Sequence, residues 1–184
     1  RCSDRRTRLE IEKIIETSGE FLLTKLLGLG DFISHAKAII TIEPNCTLKI
    51  TDDLADIGIT KSDVTFIVKS NSKLKFTFSM ISNFSCCGDV KCAKRCSCPG
   101  VGIDKITKFV LDEAGAEVDM IGVCLGVKRR SFSFKTIQEH RASDTKSSVL
   151  IKGVLLDESA FMSDNLIRVD SGLNGVKARQ IMAN

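Results

Sequence analysis

SFSFKTIQEH RASDTKSSVL IKGVLLDESA FMSDNLIRVD SGLNGVKARQ, residues 131–180, consists of short runs in which apolar and polar side chains alternate. Strict alternation predicts β-strands that bury one face and expose the other. Corners rich in Asp, Ser, Asn and Gly separate the runs, and these residues favour tight turns. This part of the chain is therefore predicted to form several short strands joined by compact corners.

The same period-two pattern extends upstream to about His35. The strands predicted from it cover residues 38–42, 47–50, 64–68, 74–80, 106–111, 117–123, 131–137, 148–155 and 166–169. Several corners between them share one plan, in which a strand ends at a charged residue and a turn-prone residue follows within three positions. The turn-prone residues are Asn45, Asn71, Gly115 and Gly172. Asn and Gly tolerate the left-handed backbone that a tight corner needs.

The corners recur at a spacing that we interpret as a repeat of about 20–26 residues, which is typical of a β-solenoid. In such a fold each coil buries its inward residues against the next coil. An antiparallel sandwich or jelly roll also produces short strands. The sequence lacks the two-residue Asn-Gly and Asp-Gly loops that hairpins favour, so the pattern favours the solenoid over the sandwich.

The first thirty residues carry a different pattern. Apolar residues from Leu9 to Leu27 fall at roughly helical spacing, Ser3 and Asp4 are candidate N-caps, and Gly28 is a candidate end. We therefore expect an N-terminal helical segment over residues 1–30, followed by a β-core over residues 31–184.

Composition narrows the function classes. The chain has 184 residues, a hydrophobic fraction of 43% and a net charge of +4, so one domain with a packed core is expected. It has no Trp and no Tyr, which argues against base-stacking nucleic-acid binders. No apolar run approaches the roughly 20 residues of a membrane-spanning helix. The lack of a recognisable signal peptide favours a cytoplasmic location.

The residues from Asp104 to Ala183 resemble the core of the SufB/SufD family. His140 falls where that family has a His before a T-x-S segment, Lys152 and Gly153 match its K-G pair, and Gln180 begins its Q-x-x-x-N run. The tract DKITKFVLDEAGAEVDMIGVCLG, residues 104–126, is similar to one of its coils, and residues 36–75 are similar more loosely.

The resemblance implies an all-β fold, a right-handed parallel β-helix. It implies a scaffold of iron–sulfur cluster assembly that is not itself an enzyme. Implied partners are a second copy or a SufB/SufD-like subunit at the end of the β-helix, near residues 169–183, and an ABC-type ATPase of the SufC kind. Full members continue into further coils and a helical domain that docks this ATPase, so we expect a short or truncated member here.

A cysteine-rich stretch, FSCCGDVKCAKRCSCPG, interrupts the ladder at residues 84–100. Soft thiolates suit an iron–sulfur cluster, zinc or iron, and neighbouring lysines and Arg95 would lower the thiol pKa values. Disulfides, or free thiols with no single role, are the alternatives. The candidate metal ligands are Cys86, Cys87, Cys92, Cys96 and Cys98, with His140 as a weaker candidate.

Two other functions compete with the scaffold. A β-helix that serves only for interaction or oligomerisation needs no metal chemistry. A carbohydrate-active β-helix would need aromatic platforms for sugar rings, and the absence of Trp and Tyr argues against it. Asp52 and Asp53 are adjacent, so in a strand they would point to opposite faces and make a poor acid–base pair.

Overall fold

A computed structural model describes residues 8–29, 35–53, 61–81, 102–127 and 131–183. These residues form an almost entirely β structure with one short helix. In chain order the elements are β1 Arg8–Ile15, β2 Gly19–Leu22, α1 Leu23–Leu27, β3 His35–Ile42, β4 Thr47–Asp52, β5 Lys61–Val68, β6 Lys73–Ile81, β7 Ile103–Leu111, β8 Glu117–Gly126, β9 Ser131–His140, β10 Lys146–Leu155, β11 Ala160–Val169 and β12 Lys177–Ala183.

The strands form two parallel sheets that the chain visits in turn. The odd sheet has the order β1-β3-β5-β7-β9-β11, and the even sheet has the order β12-β10-β8-β6-β4-β2. Every strand pair is parallel, so each coil adds one strand to each sheet. The predicted β-solenoid is confirmed, and the antiparallel sandwich is excluded for the described residues because it requires antiparallel neighbours.

Each predicted strand lies within an observed one, but the predicted repeat is too short for the second half. Thr51 and Thr77, which are neighbours on adjacent coils, are 26 positions apart, whereas Lys135 and Asp164 are 29 positions apart. The two coils joined through the cysteine-rich stretch are offset by 43 positions, as Lys69 and Asp112 show. The corner at residues 141–145 is not among those from which the repeat was predicted, and the coil length was therefore underestimated.

The predicted N-terminal helix is wrong over most of its length. Arg8–Ile15 and Gly19–Leu22 are strands, and only Leu23–Leu27 is helical. β1 pairs in parallel with β3, and β2 pairs with β4, so these residues are the first coil and not a helical appendage. The physical reason is that the neighbouring strand supplies hydrogen bonds to the backbone, which outweighs a weak local helix propensity.

The core fills the space between the two sheets with inward-pointing side chains. Burial alternates with period two along most strands, as in β3 and β6. The aromatic rings of Phe side chains pack against one another in the core. Between ring centroids, Phe66 lies 5.1 Å from Phe76 and 5.6 Å from Phe109, and Phe78 lies 4.7 Å from Phe134. Burial of these rings is a large part of what holds successive coils together.

The tight corners lie along one side of the solenoid and adopt the predicted left-handed backbone. Asn45, Asn71, Gly115 and Gly172 have φ values of 62°, 54°, 75° and 80°. Ser72, which is fully buried, ties neighbouring corners together: its Oγ donates to the Glu43 carbonyl (2.7 Å) and accepts from the Cys46 amide (3.1 Å). The corners therefore form a hydrogen-bonded column that fixes the stacking of the coils.

Candidate functional site: the solenoid interior and its C-terminal end

The last coil leaves its inward-facing side chains exposed. Register pairs Ile167 of β11 with Gln138, and Met182 of β12 with Ile151, so both point along the core. Nevertheless Ile167 is 38% exposed, Val169 is 48% exposed and Met182 is 38% exposed. Within the described part of the chain, no further coil covers this end. The solenoid thus presents an apolar surface and the open edges of its two sheets there, which is the surface that sequence reasoning placed near residues 169–183.

His140 lies inside the solenoid, directly beneath this end. Its Nδ1 hydrogen-bonds with Thr145 Oγ1 (2.7 Å) and its Nε2 with Ser147 Oγ (2.8 Å). The Thr145 hydroxyl donates to the Ala142 carbonyl (3.0 Å), so it accepts from Nδ1–H, and Nε2 accepts from Ser147. Burial lowers the pKa of His140 from its ordinary value. The imidazole is therefore a neutral, hydrogen-bonded group whose Nε2 lone pair is already used.

Polar side chains continue from His140 toward the open end. Gln138, which is fully buried, donates from Nε2 to Gln180 Oε1 (3.3 Å), and Thr136 donates to Asn165 of the last coil. Gln138 Oε1 and Thr107 Oγ1 are buried without a hydrogen-bond partner. The interior thus changes from tightly packed Phe and Ile in the early coils to a mixed polar lining near the end. The sequence indicated His140 as a candidate ligand here and Gln180 only as part of the family's Q-x-x-x-N run, because a lone Gln or Thr in a strand carries no signal.

A buried ion pair lies at the opposite side of the core, where the even strands end. Lys105 of β7 pairs with Asp52 of β4, and both side chains are almost completely buried. The Lys105 ammonium also lies 5.3 Å from the centre of the Phe78 ring. Asp53, by contrast, accepts hydrogen bonds from the Thr24 amide and hydroxyl. The two adjacent carboxylates therefore have separate structural partners, as the predicted opposite orientation requires.

Two buried thiols lie in the described residues. Cys124 of β8 is fully buried, and burial raises its pKa to about 12, although the nearby Lys105 acts in the opposite direction. Cys46 is buried in the corner before β4. The Cys124 thiol is therefore protonated at neutral pH and acts as a small core side chain rather than as a nucleophile or metal ligand.

The predicted cysteine ligands lie outside the described residues. Cys86, Cys87, Cys92, Cys96 and Cys98 all belong to the stretch between β6 and β7, which the structure does not describe. Within residues 8–29, 35–53, 61–81, 102–127 and 131–183, no group of three or more His, Cys, Asp or Glu side chains is placed to hold a metal ion. The cysteine site thus stays a prediction. No helix in the described part of the chain is long and apolar enough to cross a membrane.

Comparison with known proteins adds one finding. Residues 103–184 match the family model described as SUF system FeS cluster assembly, SufBD core domain. This span begins at β7 and contains every coil from His140 to the open end. The search of curated proteins found no match. The search of solved structures found none either.

Proposed function

Because residues 103–184 match the model of the SufBD core domain of the SUF system for iron–sulfur cluster assembly, we propose that this protein is a scaffold of that system. In this proposal it holds or transfers a nascent cluster or its metal, working with partner subunits. The family match carries the proposal, and the parallel solenoid is the expected architecture. The cluster is the cargo of the scaffold and not a resident cofactor.

The cysteine-rich stretch is the proposed contact for that cargo. Five thiols fall within residues 86–98, and Lys91, Lys94 and Arg95 interleave with them. Nearby positive charge lowers thiol pKa values and offsets the charge of several thiolates around one centre. The two buried thiols, Cys46 and Cys124, cannot serve in their place without opening the core. His140 would have to give up its Ser147 hydrogen bond in order to bind a metal.

The experiment for this proposal is anaerobic reconstitution with iron and sulfide, followed by visible absorption and metal analysis. The expected result is a coloured protein with bound iron. A variant in which Cys86, Cys87, Cys92, Cys96 and Cys98 are all Ser should stay colourless, whereas Cys46→Ser should still bind the cluster. If the five-cysteine variant binds as much iron as the wild type, the cysteine site is refuted.

The open end is the proposed contact for a partner subunit. The last coil exposes apolar side chains, and its strands β11 and β12 have unpaired backbone hydrogen-bonding groups at their edges. Exposure of both to water is energetically unfavourable, so this end favours pairing with another solenoid. The partner is a second copy or a SufB/SufD-like subunit. Docking of an ABC-type ATPase of the SufC kind rests on the family alone and is testable by co-purification. An interaction module without metal chemistry is the second candidate function, and this exposed end favours it.

A further inference from the structure

The outward face of the even sheet carries a marked excess of positive charge. Within the described residues, its basic side chains are Lys49, Lys73, Lys75, Lys146, Lys152, Lys177 and Arg179, whereas its acidic side chains are Glu20, Glu117 and Asp119. Register places them in rows that cross the strands, such as Lys73, Glu117, Lys146 and Lys177. This face, defined by the outward residues of β2, β4, β6, β8, β10 and β12, is called the even face below.

The outward face of the odd sheet differs, because its charges pair with each other. Lys37 meets Glu10 at 3.7 Å, Lys61 meets Asp104 at 3.7 Å, and Lys135 meets Asp164 at 2.7 Å. Lys108 and Glu139 form a further pair at 2.8 Å. On the odd face, basic side chains of one coil are thus neutralised by acidic side chains of the next. The excess on the even face is therefore not a general property of the solenoid.

Some of the positive charge on the even face has no acidic partner. Glu117 lies 3.2 Å from the Lys73 ammonium and 2.7 Å from that of Lys146, so its charge is already shared between two lysines. Lys75, Lys177 and Arg179 form no ion pair with any described residue. Lys75 lies on β6, whereas Lys177 and Arg179 lie on β12, with β8 and β10 between them, so this positive charge is distributed along the two rows and across four strands.

A groove runs across the strands at this position. It has a volume of about 700 Å³ and crosses β4, β6, β8, β10 and β12. Its charged lining residues are Lys73, Lys75, Glu117, Asp119, Lys146, Lys177 and Arg179. Five strands about 4.8 Å apart make the groove roughly 20 Å long, which is the length of about 14 helical residues.

An apolar strip lies beside the groove on the same face. The row next to the basic ones contains Ile121, Leu150 and Ile181, which are half-buried. The two rows after it contain Val123, which pairs with Lys152, and Val154, which pairs with Leu125. Val123 is 46% exposed and Val154 is 53% exposed. An aliphatic row thus runs parallel to the two basic rows across β8, β10 and β12, and Lys152 lies beyond it, beside Val123.

We propose that the even face docks an acidic amphipathic segment of a partner protein, whose carboxylates contact Lys75, Lys177 and Arg179 and whose aliphatic side chains cover Ile121, Val123 and Val154. A nucleic acid fits less well, because its evenly spaced phosphates would meet Glu117 and Asp119 in the middle of the basic band, whereas a peptide can place uncharged side chains there. In addition, no aromatic side chain among the described residues of this face offers a stacking platform. An anionic membrane is disfavoured for the same reason, since its continuous negative charge cannot avoid these two carboxylates. This contact is separate from the open end and does not depend on the scaffold proposal.

The test uses the full chain and a fluorescein-labelled peptide of about 14 residues, in which Glu and Leu alternate at helical spacing. Fluorescence anisotropy should show binding that weakens with added salt. The double variant Lys75→Glu/Arg179→Glu should bind at least about tenfold more weakly. Val123→Ser/Val154→Ser should weaken binding by about threefold or more, because it removes the aliphatic contact.

The matched control is Lys13→Glu/Lys25→Glu, which changes the net charge equally at exposed positions away from the groove. It should leave the affinity unchanged. The proposal is overturned if this control weakens binding as much as the groove variant, or if the groove variant binds like the wild type. It is also overturned if a single-stranded oligonucleotide or a phosphatidylserine vesicle binds more tightly than the peptide. Far-ultraviolet circular dichroism verifies folding, and Lys75→Gln/Arg179→Gln replaces any variant that is unfolded.

Discussion

Lys105 and Asp52 form an ion pair in the interior of the solenoid although they are 53 positions apart in the sequence. The pair joins β7 of the odd sheet to β4 of the even sheet, beside the Phe78 ring. A charge removed from water is tolerated only when it is paired. The pair therefore links the first half of the solenoid, before the cysteine-rich stretch, to the second half.

Removal of the Asp52 carboxylate should strongly lower the free energy of unfolding. Asp52→Leu leaves the Lys105 ammonium buried without its counter-charge, so we expect a loss of about 3–5 kcal/mol in the free energy of unfolding. Asp52→Leu/Lys105→Met removes both charges and should recover most of that loss. Urea unfolding followed by circular dichroism measures both. If the double variant is less stable than the single one, the pair is not the source of the effect.

Stability should depend on the protonation of His140. The folded protein holds this imidazole neutral and lowers its pKa below the ordinary value of 6.5, so the unfolded state binds a proton more readily. The contribution to stability is therefore complete above about pH 6.5 and is lost as the pH falls through that value toward the lower folded pKa. Urea midpoints measured from pH 7.5 to 5.5 should decline in the wild type. The decline should be smaller in His140→Gln, and equal declines would contradict the prediction.

Substitution by alanine should destabilise the protein to different extents at two corner glycines. At Gly115, φ is +75° and a Cβ atom would lie 2.4 Å from Asn71 Oδ1 of the neighbouring corner. At Gly172, φ is +80° but nothing lies within 4 Å of the added atom. Gly172→Ala should therefore cost about 1 kcal/mol from backbone strain alone, and Gly115→Ala should cost about 2–3 kcal/mol because a neighbour must also move. Thermal unfolding compares the two, and equal costs would show that the contact with Asn71 relaxes freely.

The open end should mediate self-association if the partner is a second copy. Ile167→Asp/Met182→Asp puts charges on inward-facing positions of the last coil and should raise the dissociation constant by about 100-fold. Met162→Asp changes an outward residue of the same strand and serves as the control. Sedimentation velocity at micromolar concentration distinguishes monomer from dimer. A wild-type protein that is monomeric under these conditions would exclude a second copy as the partner.

The local pattern was enough to predict most strands and corners. The alternation of apolar and polar residues along β5 or β9 predicts which side chains point inward, and Asn or Gly at a corner predicts a left-handed backbone. Both properties depend on only a few neighbouring residues. The same local view failed for Arg8–Leu22. There the spacing of apolar residues is compatible with a helix, and only pairing with β3 and β4 makes the strand the better state. The coil length was also underestimated, since the corner at residues 141–145 lacks Gly and carries its positive φ on Asp144.

The sequence by itself determined the period-two pattern, the positions of most corners and the similarity of residues 103–184 to the SufBD core domain. Only the tertiary structure decided which residues meet, because the stacking of coils and the packing of the two sheets join positions 26–53 apart that no local pattern relates. It placed Asp52 beside Lys105, used both nitrogens of His140 in hydrogen bonds to hydroxyls, and brought Lys75, Lys177 and Arg179 to the even face. The apolar end likewise exists only in the folded chain, since alternation marks a residue as inward-facing but cannot show whether another coil covers it.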